Sequence, residues 1–113
     1  MSERMSHDEY VRSCRDRAVA FAKGALAATV PLLEACHALA ALYDAVEVSS
    51  PDPDFDVFSL ISSECEALPI GAAREHWAPE ALARLEPQIQ SAVAWATPLA
   101  LPACRSIVQR FGA

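Results

Sequence analysis

Three aspartates stand at alternate positions in Asp52-x-Asp54-x-Asp56, the spacing with which a calcium loop offers its first three oxygen ligands. The pattern then fails. Val57 occupies the turn position where glycine is required, and Ser63 the twelfth position, where a bidentate glutamate closes the site. These acids read as helix caps in solvent rather than a metal site. His7, His37 and His76 are the three histidines, and none belongs to an H-E-x-x-H or Cys/His zinc pattern. The cysteines, Cys14, Cys36, Cys65 and Cys104, form no C-x-x-C pair. They are expected to be free, mostly buried thiols in a reducing cytoplasm. No metal and no cofactor is expected.

The segment 62–77 holds the richest mixture of functional groups. Glu64 and Glu66 precede Leu68-Pro69-Ile70-Gly71, and Arg74-Glu75-His76-Trp77 follows. If they converged, Glu64, Glu66 and His76 would form an acid/base or metal-binding group with Trp77 as one wall. The plainer expectation is an Arg74–carboxylate pair with Trp77 packed over the loop. No nucleophile elbow is present, and three glycines leave little from which to build a phosphate loop. No catalytic set is assembled. The candidate functional surface is Asp54, Phe55, Ser63, Glu64, Glu66, Arg74, His76 and Trp77.

Charge position sharpens this choice. The 113 residues carry a net charge of -6, yet residues 24–73 hold no Lys or Arg and eight acids: Glu34, Asp44, Glu47, Asp52, Asp54, Asp56, Glu64 and Glu66. The flanking segments are each close to neutral. Acidity is thus concentrated in the centre of the chain, which suits a partner protein with a basic surface. Nucleic-acid binding would require Arg12, Arg15 and Arg17 to form an isolated basic face, and is not expected. The N-terminus is polar and of mixed charge, unlike a signal peptide, and no membrane span is expected.

The elements that must position these groups are helices. With 23 alanines and few β-branched residues, the expected fold class is all-α, a small helical bundle forming a single domain over 1–113. From Val11 the apolar residues recur at alternating three- and four-residue steps through Cys14, Ala18, Phe21, Ala25, Ala28, Leu32, Ala35, Leu39 and Leu42 to Val46. The unbroken phase favours one long N-terminal helix over about 8–47, kinked at Pro31. A reversal at Lys23-Gly24, or a fresh start with Thr29 as cap, is the alternative. The seam also makes a homodimer through the first helix plausible. Ser49 to Asp54 ends this segment. A short helix near 54–62, a structured loop over 62–71 and C-terminal helices over about 79–97 and 102–111 follow, the last two separated by Thr97-Pro98.

Asp52-Pro53-Asp54-Phe55 through Phe58, then Ser63-Glu64-Cys65-Glu66-Ala67-Leu68-Pro69-Ile70-Gly71, His76-Trp77, Ala81-Leu82 and Trp95 together resemble a family of small uncharacterised bacterial proteins with an S-E-T-D-x-L-P segment. The resemblance covers about 52–96. Cys65 stands where the family has Thr, and Glu66 where it has Asp. It carries no activity, but it implies that the loop 63–71 is the centre of interest. The expected function is a non-enzymatic cytoplasmic protein acting through protein contacts, as adaptor, regulator or toxin-neutralising partner. A small enzyme or ligand- or metal-binding protein with its site in 62–77 is the second reading.

Overall fold

The computed structural model describes residues 6–112. The first residues of the polar N-terminus, 1–5, lie outside them. Four α-helices follow in order: α1 (His7–Leu26), α2 (Leu32–Ala41), α3 (Pro53–Glu64) and α4 (Pro79–Phe111), with a 3-10 helix over Gly71–His76 before the last. No strand occurs among the described residues, so the all-α bundle expected from composition is the observed class.

The single kinked helix over 8–47 is not formed. α1 opens with Ser6 as its N-cap, whose hydroxyl accepts from the Glu9 amide at 3.1 Å. It closes at Leu26 in a Schellman turn: the Thr29 amide reaches back to the Gly24 carbonyl at 2.9 Å and the Ala28 amide to Ala25 at 3.2 Å. Ala28 takes the left-handed conformation, φ 59°, that glycine usually supplies. Gly24 serves differently, because a Cβ there would lie 2.5 Å from Val30 Cγ2. Pro31 therefore never enters a helix interior. It stands at the N-cap of α2.

The chain reverses at this turn. Arg15 Nε donates to the Val46 carbonyl at 2.9 Å, whereas 31 residues of continuous helix would separate them by about 46 Å. The seam phase survives because both helices turn their apolar stripes to one core. Val11, Cys14, Ala18, Ala25, Ala35, Leu39, Leu42 and Val46 are all buried within one chain. A homodimer through this seam would compete with that packing.

The next helices continue the alternation. Tyr43 meets Asp56 and His37 meets Ser62, placing α3 antiparallel to α2; Asp54 meets Ser106 and Asp52 meets Arg110, placing α4 antiparallel to α3. The result is an up-down-up-down bundle. Phe55, Phe58, Leu39, Ile61 and Ile107 fill its core, and fully buried Ala18, Ala22, Ala35, Ala96 and Ala100 bring the helices close.

The C-terminal region is one helix, not two. Its 33 residues span about 50 Å, the full 49 Å length of the molecule. Pro87, Pro98 and Pro102 all lie inside it. Spaced eleven and four apart, they fall within about 60° of one another around the axis, opposite the buried row Ala96, Ala100, Ala103, Cys104 and Ile107. The carbonyls deprived of donors belong to Ala83, Ala94 and Pro98, all exposed, where water can bond them. Thr97 Oγ1 also bonds the Val93 carbonyl at 2.6 Å. With its prolines on the solvent face, the helix continues through all three.

No buried residue of α4 precedes Ala96. Leu82, Leu85, Ile89 and Val93 are only partly covered, because the shorter α1, α2 and α3 stop before α4 does. The expected loop over 62–71 is likewise shorter than supposed: α3 runs on to Glu64, and the chain re-enters helical geometry at Gly71.

Candidate functional site

The central acids are divided among different surroundings. Asp52 is the N-cap of α3, accepting from the amides of Asp54 and Phe55 at 3.1 and 3.2 Å, and Pro53 opens the first turn. Its carboxylate is also gripped by Arg110, at 2.6 Å from Nη2 and 3.1 Å from Nη1. Arg110 Nη1 reaches Asp54 at 2.8 Å, and Ser106 donates to the same Asp54 oxygen at 2.5 Å. The hydrogen bond from Arg110 holds the Asp52 carboxyl below the usual carboxylate range against the opposing effect of burial. Asp56 accepts from the Tyr43 hydroxyl at 2.9 Å, and that hydroxyl accepts from the Asp52 amide at 2.7 Å.

This cluster is a clip between helix ends. It joins the positive end of the α3 dipole, the acids placed there and a guanidinium in the last turn of α4. Arg110 also lies over the Phe111 ring at 4.9 Å, and Arg15 at 5.2 Å. Arg15 further donates to the Val46 and Glu47 carbonyls. It is thus occupied in the fold, while Arg12 and Arg17 are exposed. Asp54 is consumed by the clip, and Phe55 is fully buried beneath it.

The outward face of α3 is different. Asp56, Leu60, Ser63 and Glu64 are exposed at steps of four, three and one, a single stripe of the helix. Leu60 is 48% exposed, an apolar residue held in water between carboxylates one turn to either side. Neither Asp56 nor Glu64 has an ion pair among the described residues. Beside this stripe a groove of about 300 Å³ is lined by His37, Ala40, Ser59, Ser62, Ser63 and Glu66.

Within the groove, His37 Nδ1 and Ser62 Oγ are hydrogen-bonded at 2.8 Å. A serine beside an imidazole is the opening of a nucleophilic pair. Ser62, however, lies in the last turn of α3, at the negative end of the helix, where an oxyanion would be repelled. Among the described residues no carboxylate bonds the second nitrogen of His37. The pair joins α2 to α3.

The remaining expected groups do not converge. His76 and Trp77 are exposed and border neither this groove nor the cleft described next. Arg74 lies 4.0 Å from Glu86 across the 3-10 helix and α4, a loose pairing in solvent. Glu64 and Glu66 cap nothing; Glu66 closes a turn through its amide, 3.4 Å from the Ser63 carbonyl. No group of three or more His, Cys, Asp or Glu side chains able to hold a metal occurs among the described residues.

A second concavity, about 420 Å³, opens at the end of the bundle opposite the Arg110 clip. Its apolar walls are Pro31, Leu33, Pro69, Ile70, Ile89 and Val93, and Glu34, Gly71 and Arg74 complete the lining. Sequence reasoning placed Arg74 near a site but missed Glu34, which is brought there by the reversal at Ala28. Arg110 was missed as well. The available signal was a cation in the last turn of a helix and acids in the first turn of another, with nothing to pair them across 58 residues.

Comparison of this chain with protein-family models, with curated proteins and with solved structures finds no match. No helix among the described residues is long and apolar enough to cross a membrane.

Proposed function

We propose that this protein acts in the cytoplasm, without chemistry of its own, by docking a partner protein with a basic surface, as an adaptor, regulator or toxin-neutralising partner. One observation carries the reading: the outward face of α3 presents Leu60, 48% exposed, between Asp56 and Glu64. An apolar centre flanked by charge of one sign fits a partner that supplies one apolar contact with Lys or Arg to either side. The centre would give affinity and the rim orientation and association rate. The resemblance over 52–96 directs attention to the same segment.

Affinity capture from the native cell tests it, with wild type beside Leu60→Ser and Glu64→Gln/Glu66→Gln. The expected partner is basic, is captured less well as salt rises, and falls away with both variants. Equal recovery of every partner by all three proteins would remove the α3 face from consideration.

A further inference from the structure

We infer that the cleft at the open end of the bundle binds a small zwitterionic amphiphile, an apolar body carrying an ammonium group for Glu34 and a carboxylate for Arg74. The cleft holds about 420 Å³, within the range of ligand sites, and shares their make-up of apolar walls with few polar groups. Those walls come from the α1–α2 turn, the start of α2, the loop before the 3-10 helix and α4. Ile89 and Val93 belong to the part of α4 that the bundle leaves partly uncovered.

The two charges decide the ligand class. Glu34 and Arg74 line one cleft, yet they do not pair: Glu34 has no ion pair or side-chain hydrogen bond among the described residues. The ionic contact of Arg74 is at 4.0 Å, to Glu86. Opposite charges over an apolar floor attract strongly when they meet. Unpaired within one cleft, they match a molecule with both charges of its own. Gly71 leaves room for the acid. Its φ is +61°, and a Cβ there would come within 3.2 Å of Glu34 Oε1, so the bare backbone allows the carboxylate to lie against it.

Titration of the full chain with phenylalanine, N-acetylphenylalanine and phenylalaninamide, followed by heteronuclear NMR, tests the assignment. Phenylalanine is expected to shift the amides of Glu34, Ile70, Gly71 and Val93 with millimolar affinity, as befits so few atoms. Loss of either ligand charge should weaken binding about tenfold. Glu34→Gln should abolish the preference over N-acetylphenylalanine, and Arg74→Gln the preference over phenylalaninamide. Equal binding of the three ligands to wild type, or no shifts localised to the cleft, would overturn the proposal, and neither result needs a variant to fold. The α3 face shares no lining residue with the cleft, so this outcome is independent of the docking reading above.

Discussion

Arg110 and Asp52 meet through two contacts, 2.6 and 3.1 Å long, that tie the last turn of α4 to the first turn of α3. Asp52 is buried and Arg110 is one-third exposed. Removing the cation leaves a buried carboxylate with its two capping amides alone. Arg110→Ala is expected to destabilise the fold by about 2 kcal/mol, less than a fully buried pair because solvent reaches the guanidinium. Urea unfolding with an unchanged slope would measure it.

The same pair sets a pH dependence. Asp52 titrates below its ordinary range in the folded protein, chiefly through the hydrogen bond from Arg110. Its contribution is therefore present above the unfolded carboxylate pKa of about 3.9 and is lost as pH falls through the lower folded value. Wild type should lose stability on acidification in this window, and Asp52→Asn, which can still cap α3, should lose less. Denaturant midpoints at pH 6 and through the acid range compare them.

The reversal at Ala28 makes a prediction of opposite signs at neighbouring positions. Ala28 carries the strain of φ 59°, so Ala28→Gly should stabilise by about 0.5–1 kcal/mol. Gly24→Ala should destabilise, since the new methyl meets Val30 Cγ2. Thermal melts of the two variants should move in opposite directions.

Pro98 lies on the solvent side of α4 and contributes nothing to the core. Pro98→Ala restores an amide to the helix and should raise stability by about 1–2 kcal/mol, part of the ordinary cost of an internal proline. A lower melting temperature would show that the proline itself is required for packing.

All four cysteines are buried free thiols, and burial pushes Cys36 up to about 12 and Cys104 up to about 11. Thiolate is the reactive form. Native protein should react slowly with a thiol reagent at pH 8, and four thiols should be released together on unfolding.

Much of the helical content was legible in the residues because local patterns encode it. The seam from Val11 to Val46 names the buried faces of α1 and α2, and the short helix expected near 54–62 is α3, which Asp52 and Pro53 start slightly earlier. Periodicity reports which side of a helix is apolar, and it is blind to whether the axis continues. The same seam therefore accommodates a kink or a hairpin, and the Schellman turn at Gly24–Val30 decided for the hairpin. The prolines of α4 misled for a related reason: their common phase, opposite Ala96 and Ala100, mattered more than their number.

For the site, sequence alone determined a helical chain with eight acids and no cation between residues 24 and 73. Tertiary structure decided what each acid does. Arg110, 58 residues from Asp52, bridges Asp52 and Asp54; the α1–α2 reversal brings Glu34 to the cleft of Arg74; and Asp56 and Glu64 remain on either side of Leu60. Charge along a chain is additive, but its effect depends on distance and burial, and only the packing of helices sets those.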